Sequence, residues 1–295
     1  MTGSRDDDEQ PLAPGPAWLG PKASEDEVPV APRRLAGGLT VRAVLPNAIT
    51  AAALCSGLTG IRFGINGNWA MAVFAIVLAG MLDGIDGRIA RLLKAQSRFG
   101  AELDSLADSL SFGMAPALVL YLWSLHELPR LGWFAALAFA ICCALRLARF
   151  NARIDVEEQP HKSVGFLTGV PAPVGAGLAF LPMYLWIASG EEAFRHPVLV
   201  GVWVAGIAVL MISNLATLSW TSIRPRRSIR LEAIALAGLV FAALLTEPWW
   251  TLVGLCAVYL ALMPYAIVRY ARIRRQRLAP EAPAAPIEAR RLPDG

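Results

Sequence analysis

The sequence predicts an all-α fold, a polytopic bundle of about eight transmembrane helices, on three observations. The chain has 295 residues, of which 56% are hydrophobic and only 17% are charged. Its mean hydropathy of +0.49 is typical of an integral membrane protein rather than of a soluble domain. Apolar runs recur along the chain between polar loops. The net charge of +4 is modest and sits mainly in particular loops, so no nucleic-acid binding is predicted.

The apolar runs predict the helices in order along the chain. Several runs are shorter than the roughly 20 apolar residues that a bilayer span requires. The shortfall lies at ends that carry acidic residues or arginines. The last two runs, joined at Glu247 and Pro248, also fit a hairpin, so the count is least certain there. The predicted spans are residues 45–62, 69–93, 101–125, 131–151, 170–189, 197–220, 230–246 and 249–271.

Both ends of the chain differ in composition from the predicted spans. Residues 1–38 are rich in Asp, Glu, Pro and Gly without apolar periodicity, which predicts a disordered tail. Residues 273–295 are rich in Ala, Pro and Arg and predict a second disordered tail. The transmembrane domain is therefore expected to occupy residues 39–272.

Lysine and arginine alternate between the loops in a regular way. They cluster before the first span and in every second loop after it, and the remaining loops hold few. Because positive charge is retained on the cytoplasmic side, both termini are predicted to be cytoplasmic. The clustered residues are Arg33, Arg34, Arg42, Lys94, Arg98, Arg153, Lys162, Arg224, Arg226, Arg227, Arg272, Arg274, Arg275 and Arg277.

Four aspartates lie at the ends of the second and third spans that this topology places on the cytoplasmic side: Asp83, Asp86, Asp104 and Asp108. Each pair is spaced to lie near one helix face, three or four residues apart. A carboxylate at the bilayer centre costs roughly 3 kcal/mol, so four together require compensating cations. Hard oxygen ligands suit Mg²⁺, Mn²⁺ or Ca²⁺. The alternative, structural pairing with nearby arginines, does not account for the small residues on the same face.

The spacing of these residues resembles the signature of the CDP-alcohol phosphotransferases. The pattern is Asp-x-x-Asp-Gly-x-x-Ala-Arg, eight residues, then Gly-x-x-x-Asp-x-x-x-Asp, and every fixed position is filled. Eight fixed residues at fixed spacing make a far more specific signal than a lone glycine motif. The fixed residues are Asp83, Asp86, Gly87, Ala90, Arg91, Gly100, Asp104 and Asp108.

The resemblance implies a six-span catalytic core followed by a C-terminal pair, and a metal-dependent enzyme with two Mg²⁺ or Mn²⁺ ions. The four aspartates are then the metal ligands, with Asp108 also the general base. The cytidine nucleotide is expected over Gly87 and Ala90, with Arg91 on a phosphate oxygen and Gly100 nearby. Asn47 and Thr50, one turn apart, are expected to face the nucleotide, with helix capping as the alternative.

A narrower resemblance is to the integral-membrane phosphatidylserine synthases, carried by residues 45–50, 100–108, 111–117 and 146–151. It implies CDP-diacylglycerol and L-serine as substrates, a homodimer, and a bacterial inner or plasma membrane. Four residues are candidates for binding the serine carboxylate or a lipid phosphate. Snorkelling to the membrane surface is the alternative for the two arginines. These candidates are Arg146, Arg149, Asn151 and Lys162.

Two other functions remain open. A sibling enzyme would use inositol phosphate or glycerol 3-phosphate as acceptor, and the core motif does not separate these from serine. A cation-coupled transporter would also need intramembrane carboxylates. It would not explain Gly87, Ala90, Arg91 and Gly100 at their spacing, and no inverted repeat is evident.

Overall fold

A computed structural model of the chain describes residues 41–95, 97–154, 166–213, 216–218 and 230–278. The predicted tail at 1–38 and most of the predicted tail at 273–295 lie outside these described residues. Lys162 lies outside them as well. Residues 273–278 are described as the end of the last helix.

Helices make up almost all of the described structure. Two 3₁₀ turns, Leu125–Glu127 and Glu192–Arg195, and two short strands, β1 (Phe166–Thr168) and β2 (Ala216–Leu218), complete it. A π-helix, Ser109–Met114, joins α3 to α4 without a break. The α-helices are α1 (Val41–Ile65), α2 (Trp69–Leu92), α3 (Arg98–Asp108), α4 (Ala115–Trp123), α5 (Leu131–Ile154), α6 (Ala172–Ala179), α7 (Leu181–Ser189), α8 (Pro197–Ile212), α9 (Arg230–Thr246) and α10 (Pro248–Leu278).

Five of the described helical segments are long and apolar enough to cross a membrane. One of them, Arg98–Trp123, consists of α3, the π-helix and α4. A sixth span results if α6 and α7, bent by 41° at their junction, cross together. The prediction of a polytopic helix bundle is confirmed, but the count of eight is not. With 16 residues, α8 is about 24 Å long at 1.5 Å per residue, short of a 30 Å hydrocarbon core.

The prediction of an all-α fold is confirmed, and one short two-stranded ladder lies beside the helices. Strands β1 and β2 pair antiparallel, with Phe166 opposite Leu218 and Thr168 opposite Ala216. The span predicted at 197–220 therefore ends as a helix at Ile212, after which Ser213 is extended. Next to the ladder, Gly169 has φ +77°, and a Cβ there would stand 2.5 Å from the carbonyl oxygen of Met211. Only glycine fits this approach.

Small residues bring α1 against its neighbours. A Cβ on Gly60 would lie 2.8 Å from Ile76 Cγ1 of α2, and a Cβ on Gly57 would lie 2.9 Å from the Cα of Ser111 in the π-helix. Transmembrane helices associate through such close packing, because lipid tails are as apolar as the side chains themselves. Helix α1 is consequently packed directly behind the helices that carry the aspartates.

The site lies at one end of the bundle, which we call the aspartate face. It is formed by the first turns of α1 and α3 and the last turns of α2 and α5. Contacts described below join these four ends, between Asn47 and Gly100, Thr50 and Asp86, and Ser105 and Asn151. The face therefore collects the aspartates of two helices and the polar end of α5.

Candidate functional site

Three of the four predicted aspartates converge at the aspartate face. Asp83 of α2 meets Asp104 and Asp108 of α3, and one carboxylate oxygen from each lies within 4.8 Å of the others. The three side chains are half-buried. Oxygen ligands at 2.0 to 2.6 Å from one ion are separated by at most about 5 Å. The cluster therefore fits a single divalent cation.

The fourth aspartate, Asp86, is turned toward α1. It is only 3% exposed, and its Oδ2 accepts a hydrogen bond of 2.6 Å from Thr50 Oγ1. The same hydroxyl lies 3.1 Å from the carbonyl oxygen of Pro46. Thr50 is 5% exposed, so it lies beneath the site as the partner of Asp86. The sequence suggested four equivalent carboxylates, whereas in the structure three form the cluster and Asp86 bonds to Thr50 instead.

The two motif glycines have opposite surroundings. A Cβ on Gly87 would meet no heavy atom within 4 Å, and the residue is exposed on α2. A Cβ on Gly100 would lie 2.9 Å from Asn47 Oδ1 and 3.1 Å from Ser97 Oγ, the N-cap of α3. Gly87 thus leaves an open helix surface beside Asp83. Gly100 instead lets α1 approach the first turn of α3.

Two further residues that were predicted to contact the nucleotide, Ala90 and Arg91, follow Gly87 on α2. Ala90 is half-buried and Arg91 is exposed in the last turn of α2. Asp83, Gly87 and Arg91 follow one another at intervals of four residues, so they lie near one face of α2. This arrangement leaves room for a phosphate-bearing ligand there.

A π-helix begins directly after Asp108, and nothing in the sequence predicted it. Its residues Ser111, Phe112 and Gly113 are buried, with Ser111 against Gly57 of α1. A Cβ on Gly113 would lie 3.2 Å from Cys143 Sγ of α5. Single π-helical turns are frequent at functional sites, where they change the direction of side chains. Here the change from α-helix to π-helix comes directly after Asp108, the last aspartate of α3.

The predicted residues at the end of α5 have separate environments. Arg149 donates a hydrogen bond of 3.1 Å from a terminal guanidinium nitrogen to the carbonyl oxygen of Ile212, at the end of α8. Asn151 donates one of 2.8 Å from Nδ2 to Ser105 Oγ. Arg146 is near enough to Asp108 for their charges to interact. Sequence reasoning missed Ser105 as a site residue, although its place between Asp104 and Asp108 was a signal.

Thr50→Val is expected to weaken binding of Mn²⁺ at the aspartate face about 10- to 100-fold, the usual cost of removing a hydrogen bond to a carboxylate of such a site. Valine keeps the volume of threonine and removes the bond that orients Asp86. The measurement is binding of Mn²⁺ to the purified protein in detergent as a function of Mn²⁺ concentration. Thr59→Val is the matched control, since Thr59 Oγ1 donates only within α1, to the carbonyl oxygen of Cys55 at 2.7 Å. An unchanged affinity for Mn²⁺ in Thr50→Val would contradict the role given to this bond.

Fold and site together define an integral-membrane protein with a candidate divalent-cation centre at one end of its helix bundle. A family model described as CDP-alcohol phosphatidyltransferase matches residues 43–213, more than half of the chain. A second, CDP-alcohol phosphatidyltransferase 2, matches residues 228–264. The chain belongs to the CDP-alcohol phosphatidyltransferase family.

Named relatives are similar over most of their length. A protein of Mycobacterium leprae is 37% identical over 76% of this chain and 74% of its own. One of Mycobacterium bovis is 36% identical over 76% of this chain and 78% of its own. One of Helicobacter pylori is 30% identical over 73% of this chain and 89% of its own. All three are described as CDP-diacylglycerol–serine O-phosphatidyltransferases.

Proposed function

We propose that this protein is a CDP-diacylglycerol–serine O-phosphatidyltransferase, an integral-membrane enzyme that transfers a phosphatidyl group to L-serine and releases CMP. The observation that carries the proposal is the convergence of Asp83, Asp104 and Asp108 within a chain of this family. The named relatives from several bacteria support serine as the acceptor. The sequence segments at 100–108 and 146–151 favour the same acceptor.

The three converging carboxylates are the proposed ligands of a divalent cation, Mg²⁺ or Mn²⁺, because an all-carboxylate donor set suits these ions. A cation held by these three residues would supply positive charge to neutralise the pyrophosphate of the donor and the leaving phosphate. Asp86 remains a proposed metal ligand, because the family resemblance implies two ions held by the four aspartates. Thr50 then fixes the orientation of that carboxylate.

The proposed transfer is a direct displacement. The acceptor hydroxyl oxygen bonds to the lipid-linked phosphorus, the bond from that phosphorus to the CMP oxygen breaks, and Asp108 takes the hydroxyl proton. Ser105, the nearest serine to the cluster on α3, is not proposed as a nucleophile. Its hydroxyl donates to the carbonyl oxygen of Ala101 at 2.9 Å and accepts from Asn151. No described group is in place to activate it.

The donor nucleotide is proposed to lie on the open surface at Gly87, with Ala90 beneath it and Arg91 on a phosphate oxygen. Gly100 and Asn47 form the neighbouring wall. The aspartate face is proposed to be cytoplasmic, in a bacterial inner or plasma membrane. Basic residues stand at the ends of both helices, Lys94 just after α2 and Arg153 in the last turn of α5, which supports this orientation. A homodimer is proposed from the resemblance alone.

The test is CMP release by the purified protein in detergent, with CDP-diacylglycerol, Mn²⁺ or Mg²⁺, and one alcohol at a time. We expect CMP only with L-serine, loss of activity on chelation, and recovery when the metal is restored. CMP with inositol phosphate or glycerol 3-phosphate instead would keep the reaction and overturn the acceptor. No CMP with any alcohol, together with cation flux in liposomes free of CDP-lipid, would support a transporter.

A further inference from the structure

Helix α5 runs antiparallel to the segment formed by α3 and the π-helix and contacts it near both ends. At the deep end Cys143 packs against Gly113 of the π-helix. At the aspartate face Asn151 donates to Ser105. Arg146 lies between these two contacts on α5, just as Asp108 lies between Gly113 and Ser105 on the facing helix. These two contacts bring Arg146 to within about one helical turn of Asp108, within reach of its long side chain, and the charge interaction of the pair agrees with that placement.

Arg146 retains an unused hydrogen-bond donor. Its side chain is half-buried, and its Nε is inaccessible to solvent and has no hydrogen-bond partner among the described residues. A buried donor of a charged group without a partner is costly, and such groups are rare in folded proteins. An anionic oxygen group of a bound substrate would satisfy this guanidinium.

The other two polar residues at the end of α5 are already engaged. Arg149 bonds to the end of α8, and Asn151 bonds to Ser105 of α3. These two bonds fix the last turns of α5 against helices on both sides. Arg149 and Asn151 therefore act as positioning residues, and Arg146 is left as the one of the three that can receive a substrate.

We infer that Arg146 binds the carboxylate of the acceptor and so selects L-serine over alcohols that lack this group. The inference rests on the proposed function. Two substrates carry anionic oxygens, the acceptor and the CDP-lipid. The nucleotide of the CDP-lipid is proposed to lie on the α2 side, over the open surface at Gly87. In serine the hydroxyl and the carboxylate are only three bonds apart, so a hydroxyl held at Asp108 puts the carboxylate near Arg146.

The experiment compares L-serine with serinol, in which a hydroxymethyl group replaces the carboxylate. In Arg146→Gln we expect kcat/KM for L-serine to fall about 100-fold or more, because a charged hydrogen bond to the substrate is lost. We expect the value for serinol to change less than threefold, and Arg146→Lys to keep part of the preference for serine. Arg62→Gln, an exposed arginine near the other end of α1, is the matched control and should leave both values unchanged.

Other outcomes overturn the inference in distinguishable ways. Equal losses with both acceptors, with an increased KM for CDP-diacylglycerol, would assign Arg146 to a lipid phosphate. Equal losses with every KM unchanged and a lower melting temperature in detergent would make it structural. No serine-dependent CMP release from the unaltered protein would overturn the proposed function itself, and the selection of serine with it.

Discussion

Asp108→Asn is expected to abolish CMP release while CDP-diacylglycerol still binds. Asparagine has nearly the shape of aspartate and keeps one oxygen for ligation, but it cannot accept the proton of the attacking hydroxyl. Loss of a general base costs about 10²- to 10⁴-fold in rate, and loss of a charged metal ligand adds to this. The measurements are CMP release with saturating L-serine and direct binding of CDP-diacylglycerol to the purified variant.

The matched control for this variant is Glu102→Gln on the same helix, since Glu102 is exposed and outside the carboxylate cluster. It should retain full activity. Mn²⁺ binding to both variants separates the two roles of Asp108. If Asp108→Asn binds Mn²⁺ normally and is inactive, the base role stands. Full activity would remove Asp108 from that role, and loss of Mn²⁺ binding in step with activity would make it a ligand alone.

The sequence was sufficient for the parts of the site that depend on helical spacing. Asp104 and Asp108, one turn apart on an apolar segment, had to share a helix face, and α3 confirms this. The membrane-embedded helical fold followed from composition and apolar length. The addition of Asp83 to this cluster depends on how α2 packs against α3, and only the family resemblance indicated that it would occur.

Features set by tertiary contacts were not predictable. The bond between Thr50 and Asp86 joins side chains 36 residues apart, and it moves Thr50 from its expected place facing the nucleotide to one beneath a carboxylate. The π-helix after Asp108 has no sequence signature, since its residues also suit an α-helix. Strands β1 and β2 pair next to Gly169, where the carbonyl oxygen of Met211, distant in sequence, comes too close for any side chain.

The end of α5 illustrates the same limit. Arg146, Arg149 and Asn151 form one short segment, which favoured a single role for all three. In the structure they meet three different neighbours, because α5 packs against α3 on one side and α8 on another, and helical spacing alone does not separate Arg146 from Arg149. Their partners are Asp108, Ile212 and Ser105, each on another element.

Gly87 is a glycine of the motif with open space where a side chain would be. Gly87→Leu is expected to fold normally and to lose at least about 100-fold in activity. Leucine at this position meets no neighbouring atom, and replacing glycine within a helix stabilises it by about 1 kcal/mol. The side chain instead fills the surface proposed for the nucleotide. The measurements are melting temperature in detergent and the KM for CDP-diacylglycerol. Gly238→Leu is the control, because a Cβ on this α9 glycine also meets nothing within 4 Å.

Gly100→Ala is expected to lower the stability of the protein rather than to block the nucleotide surface. Its new methyl group would lie 2.9 Å from Asn47 Oδ1 and 3.1 Å from Ser97 Oγ, so these two side-chain ends must shift, and a loss of at most about 1 kcal/mol of stability is expected. Truncating the neighbour as well, in Asn47→Ala with Gly100→Ala, should restore part of that loss, since the two sites are in contact.

A Gly87→Leu protein with a lowered melting temperature, or with normal affinity for CDP-diacylglycerol, would contradict the open nucleotide surface. One glycine is then required for ligand access and the other for helix packing.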